Sequence, residues 1–131
     1  MSWEPNVETV SLVNLTGADD LGFVFRAPAF GKGGGLTITE MYYVPMSTTS
    51  STISHTLVPL IYSALGTPAL AGTVAAGKGG TTDHWASGVP KAFTITNGTL
   101  AAGQWLVIHK TEATSTSDPV GYLVFTWIWG K

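Results

Sequence analysis

Apolar residues recur along this chain at a spacing of two, in short runs separated by glycine, proline, serine and threonine. The clearest departure from that alternation is Val120–Trp129, which reads VGYLVFTWIW. Successive side chains of a strand point to opposite faces. Leu123, Phe125, Trp127 and Trp129 therefore share one face, and Val120, Tyr122, Val124 and Ile128 the other, broken only by Thr126. A strand with one wetted face alternates apolar with polar, whereas a strand apolar on both faces is covered on both. The first set is expected to line the core of a sandwich, and the second to meet another protein subunit.

Read in order, the chain gives further strands. Met1–Asn6 is a short arm carrying Trp3 and closed by Pro5. Val7–Leu15 is rich in β-branched residues and reads as a first strand, with a turn at Thr16–Asp20. Phe23–Arg26 is a second strand, stopped by Pro28, and Phe30–Gly35 a glycine-rich connection. Leu36–Val44 follows, with Leu36, Ile38, Tyr42 and Val44 expected on one face. Ser47–Thr52 is a solvated loop, Ile53–Leu65 a strand or strand pair bent at Pro59, and Ala69–Ala76 a small-residue strand. A second glycine loop, Gly77–Gly80, runs into Thr81–Gly88. Lys91–Thr96 alternates well, Asn97-Gly98 is the strongest short turn signal, and Gln104–Lys110 is a strand. The Thr111–Pro119 loop then leads to the terminal strand.

No segment has a capped 3.6-residue period. About eight short strands at such spacing predict an all-β fold, an antiparallel β-sandwich of jelly-roll type. An immunoglobulin-like sandwich is the structural competitor, but its cysteine–tryptophan–cysteine core is missing. We expect one domain over residues 1–131, with residues 1–6 as its arm.

Composition narrows the function classes. The 131 residues include no cysteine, so disulfides and thiolate metal sites are excluded. Charged residues make up 11% of the chain, against roughly 25% in an average soluble protein. With a net charge of −2 there is no basic patch for phosphate neutralisation, and no nucleic acid is expected as a partner. A weakly charged chain with 44% hydrophobic residues is poorly protected against self-association, and we read that as surface to be covered by partners. MSWEPNVE lacks the charged-then-apolar pattern of a leader, and the Leu57–Leu65 run, broken by Pro59, is too short to span a bilayer. Cytoplasmic synthesis and no membrane partner are the expectation.

Candidate chemistry is sparse. Gly72–Lys78 matches the first part of a phosphate-binding loop, but Gly79 stands where a Ser or Thr is needed and no helix can follow. His55, His84 and His109 lie in three separate segments without metal-ligand spacing. Asp19-Asp20 suits a turn better than a calcium loop. Glu40 is the one acid in the middle of a strong strand, with Arg26 or Lys110 as its expected partner. Asn14-Leu15-Thr16 and Asn97-Gly98-Thr99 are chance sequons. Trp85, in a polar loop, is where an exposed ring could stack on a sugar. We expect no catalytic residue, no metal and no cofactor; the chain is not expected to be an enzyme.

Two stretches carry a family likeness. FRAPAFGKGGGLTITEMYYVP (Phe25–Pro45) and TLAAGQWLVIHKTEATSTSDPVGYLVFTWIWGK (Thr99–Lys131) resemble the strand–loop–strand pattern of small jelly-roll decoration, or cement, proteins of phage capsids. The resemblance covers about half of the chain and contains no invariant chemistry; related patterns occur in trimeric C1q- and TNF-like domains. It implies a homodimer or homotrimer on the outside of an icosahedral phage head, made in the host cytoplasm and bridging subunits of the major capsid protein. In that setting Tyr122, Val124 and Ile128, with Trp105 and His109 nearby, are the expected subunit interface. Trp3, Glu4, Pro5 and Asn6, with Phe30, Lys32, Lys78 and Trp85 on two loops, are the expected capsid contacts. The alternative is a carbohydrate-binding sandwich for surface glycans, resting on Trp85, Tyr42 and Tyr43.

Overall fold

The structure is a computed structural model, and it describes residues 5–12, 15, 19–29, 34–48, 55–63, 67–79, 85–112 and 120–130. They form β1 (Asn6–Ser11), β2 (Asp19–Arg26), β3 (Leu36–Pro45), β4 (His55–Tyr62), β5 (Leu70–Thr73), β6 (Lys78–Gly79), β7 (Lys91–Phe93), β8 (Thr99–Leu100), β9 (Trp105–Glu112) and β10 (Gly121–Trp129). The first sheet runs β1-β10-β3-β7, with β8 also on β3; the second runs β2-β9-β4-β5, with β6 also on β4.

One rule generates this order. β1 pairs with β10, β2 with β9, β3 with β7 and β4 with β5, all antiparallel. These are the rungs of one long hairpin. Rolling it up sends alternate rungs to opposite sheets, which is the jelly-roll arrangement. The strands beyond the eight expected are β6 and β8, each two residues long.

The core lies between the sheets. Leu123, Phe125 and Trp127 of β10 are buried, as the alternation predicts, and Trp129 packs against the same cluster. From the second sheet come Leu57 and Ile61 of β4, Leu106 and Ile108 of β9 and Phe25 of β2. Phe25 meets Phe125 edge-on, with ring centroids 5.3 Å apart.

The expected face of β3 is corrected. Leu36, Ile38, Met41 and Tyr43 are the inward set, each 2% exposed or less, while Tyr42 and Val44 point outward. The register with β10 slips by one residue at Thr39–Glu40, and such a bulge reverses the parity of everything after it.

Several boundaries also move. The expected turn at Asp19-Asp20 is the start of β2, and β1 ends at Ser11. β4 does not bend into two strands at Pro59; it pairs continuously with β9 from His55 to Tyr62. In an antiparallel strand a residue's N and C=O point to the same side. Pro59 C=O accepts from Val74 N at 2.9 Å, so the absent N–H faces the gap between β5 and β6 and costs the β9 ladder nothing. Asn97-Gly98 does not close a hairpin of paired strands, because β7 and β8 both pair with β3.

Candidate functional site

The sequence points to surfaces rather than to a reaction centre, and the fold offers two broad ones, the outer faces of the two sheets. On the first sheet, Tyr122 is 41% exposed, and Val124 and Ile128 are half-buried. The register sets Tyr122 beside Val44 and Ser11, and Val124 beside Tyr42 and Thr9. Apolar and hydroxyl groups therefore interleave on this face, with Glu40 exposed opposite Thr126. Next to it, Glu40, Tyr42, Ala92 and Ile95 line a shallow hollow of about 240 Å³.

Trp105 and His109 do not join that face. They lie on β9, on the outside of the second sheet, so the expected interface is divided between opposite sides of the sandwich. There the rungs read Leu21–His109–Val58, Phe23–Val107–Leu60 and Arg26–Trp105–Tyr62. Phe23 and Leu21 are 42% and 43% exposed. The Phe23 ring stands edge-on to Tyr62 at 5.5 Å and to Trp105 at 5.6 Å. Arg26 lies over the Trp105 ring at 5.9 Å and donates from Nε to Gly103 C=O at 3.2 Å. His109 Nε2 is bonded to Asp19 Oδ1. The alternation of β2 signals this face, but the length expected for that strand was too short to reveal Leu21 as a member.

Trp85 is a correction. It is 1% exposed, a core residue rather than a surface one, with its ring edge-on to Tyr43 at 4.9 Å and Lys91 Nζ over it at 5.3 Å. The polar residues around it in sequence mask an inward-pointing indole. Burial removes it from both the capsid contacts and the sugar-stacking reading. Tyr43 is equally buried, and burial pushes its phenol above the ordinary tyrosine value.

Glu40 has neither expected partner beside it, since Arg26 and Lys110 belong to the other sheet. Lys110 is fully buried; it donates from Nζ to Glu112 Oε1 at 2.9 Å and to Leu15 C=O at 2.9 Å. This pair ties the connection after β1 to the end of β9.

Of the remaining expected positions, Pro5 is exposed and Asn6 begins β1 opposite Trp127. Lys78 sits on β6 opposite Leu57, so the pattern that matches a phosphate loop ends in a strand. Trp3, Glu4, Phe30, Lys32 and His84 lie outside the described residues. His55 is buried, its ring 5.9 Å from that of Trp85. Among the described residues no group of three or more His, Cys, Asp or Glu converges as a metal site would require.

No family model and no curated protein matches the chain. Among solved structures it is similar to one of infectious bursal disease virus, Gx strain, at 14% identity and a TM-score of 0.45, over 98% of this chain and 33% of the other, so that it spans about a third of that chain's length.

Proposed function

We propose that this protein is a structural, non-enzymatic component of a virion. In this reading it associates with itself and binds the outside of an icosahedral phage capsid, bridging neighbouring major capsid subunits. The observation that carries the reading is a jelly-roll sandwich with apolar residues on the outer faces of both sheets. One face can serve the oligomer while the other, with the loops, meets the shell. Several weak contacts per oligomer add as avidity, so the shell is reinforced without a covalent link. The likeness of Phe25–Pro45 and Thr99–Lys131 to cement proteins supports the same reading.

The test is co-sedimentation of the purified chain with capsids of the virus that encodes it, prepared without this protein. Saturable binding is expected, together with greater resistance of the loaded capsids to heat or chelator. Absence of binding overturns the capsid role. The glycan reading keeps only Tyr42 of its three aromatic residues at the surface, beside Glu40 on the shallow hollow, and no observation favours it over the virion reading.

A further inference from the structure

The two outer faces differ, and the difference says what covers one of them. On the second sheet the outward rows from Leu21 to Arg26 are mainly apolar across β2, β9 and β4; Leu21, Phe23 and, on β5, Leu70 stand exposed, while Val107 and Leu60 are buried between them. At strand and residue spacings of about 4.8 and 3.3 Å the outline is roughly 400 Å², and exposed apolar residues gathered in such an outline often mark a functional surface. Area alone does not name an occupant. Charge does. β2 carries Asp19 at one end of the patch and Arg26 at the other, with Leu21 and Phe23 exposed between them. Asp19 is bonded to His109 yet 75% exposed in its side chain. Among the described residues Arg26 donates from Nε to Gly103, and a guanidinium has four further N–H donors.

We infer that this face docks a second copy of the chain, strand β2 over strand β2, across a two-fold axis lying between the two sheets and perpendicular to their strands. The inference rests on the self-association in the proposed function and assigns it to the Trp105–His109 side of the sandwich rather than the Tyr122 side. The axis passes at the level of Gly22, which the bulge between Phe23 and Phe25 makes the midpoint of Asp19 and Arg26. It sets each Asp19 against Arg26 of the other copy and stacks Leu21 and Phe23 on Phe23 and Leu21. Facing sheets pack about 10 Å apart, a gap that an aspartate and an extended arginine together bridge. A two-fold requires a self-complementary patch. An acid and a base at equal distances from an apolar centre satisfy that requirement. The first sheet shows no such order, its apolar positions being interleaved with Thr9, Ser11 and Thr126.

Sedimentation velocity over a micromolar concentration series tests this, with circular dichroism to check folding. The wild-type chain is expected to form dimers or multiples of them. Phe23→Arg and Arg26→Glu should each weaken association by roughly tenfold or more, as disruption of a central contact or of a facing charge pair does. The charge-swapped double variant Asp19→Arg with Arg26→Glu should return to near the wild-type value, and Tyr122→Arg should leave it unchanged. If Phe23→Arg does not fold, the charge-reversal set decides. A wild-type mass of one chain overturns both this inference and the self-association reading. An oligomer broken by Tyr122→Arg but not by Phe23→Arg or Arg26→Glu overturns this inference alone. Failure of the double variant to recover overturns the two-fold arrangement.

Discussion

Tyr43 carries its phenol into the sandwich, and the protonation of that phenol is tied to folding. Burial raises its pKa above the ordinary 10.0, so the folded state holds the proton more tightly than the unfolded chain. The associated stability is fully present below the unfolded value and is lost as pH rises beyond it. The urea midpoint should therefore be flat from neutral pH to about 9 and fall above about 10, and Tyr43→Phe should make the fall shallower. Equal slopes for the two chains would contradict this. At the same scale, the sequence shows Leu123, Phe125 and Trp127 as core residues because β10 keeps its parity throughout. It does not show Tyr43 as one, because a bulge two residues wide in sequence reverses the parity of β3 and swaps Tyr42 with Tyr43. Trp85 is hidden for another reason: the residues around it in sequence are small or polar, and only tertiary packing brings its ring to Tyr43.

Among the elements, the segment joining β7 to β8 owes its path to Gly98. Ile38 N donates to Gly98 C=O at 2.8 Å, and a Cβ on Gly98 would stand 2.1 Å from Ile38 O. That approach explains why Asn97-Gly98 is present without a tight hairpin: the glycine is selected by contact with β3 rather than by turn geometry. Gly98→Ala should destabilise by about 1–3 kcal/mol, the usual range for overpacking, in chemical denaturation, whereas Asn97→Ala, at an exposed side chain, should change stability by less than about 0.5 kcal/mol. Equal effects would return the pair to an ordinary turn role. Strand existence was legible along most of the chain from its period of two. Strand ends were not, because Asp19 and Asp20 look like turn residues until β9 supplies their partners Thr111 and Lys110. Pro59 looks like a breaker until the gap between β5 and β6 gives it an unpaired side.

For the molecule as a whole, the jelly roll makes its defining contacts late in sequence. Trp127 Nε1 reaches Glu8 Oε1 at 3.5 Å across 119 residues, and β1 cannot join the sheet before β10 exists. Folds dominated by such distant pairings refold in milliseconds to seconds. A denaturant jump followed by tryptophan fluorescence should show its main phase in that window, and a full-amplitude microsecond phase would contradict it. The all-β sandwich was legible at this scale because turn signals recur evenly and helical periods are missing. The division of the apolar surface between two faces was not, since alternation assigns residues to sides of a strand and says nothing of which sheet the strand will join. Trp105 and Tyr122 therefore look like neighbours in a list and stand on opposite sides of the molecule.

The rung between Asn6 and Trp127 also bears on how the protein can be handled. The first and last strands enter and leave the sandwich at one pole, side by side on an edge. A fluorophore on a cysteine placed at the exposed Pro5, beside that rung, would stand at this pole and leave both broad faces clear. Display of a cargo and attachment to a surface are thus separable in this scaffold.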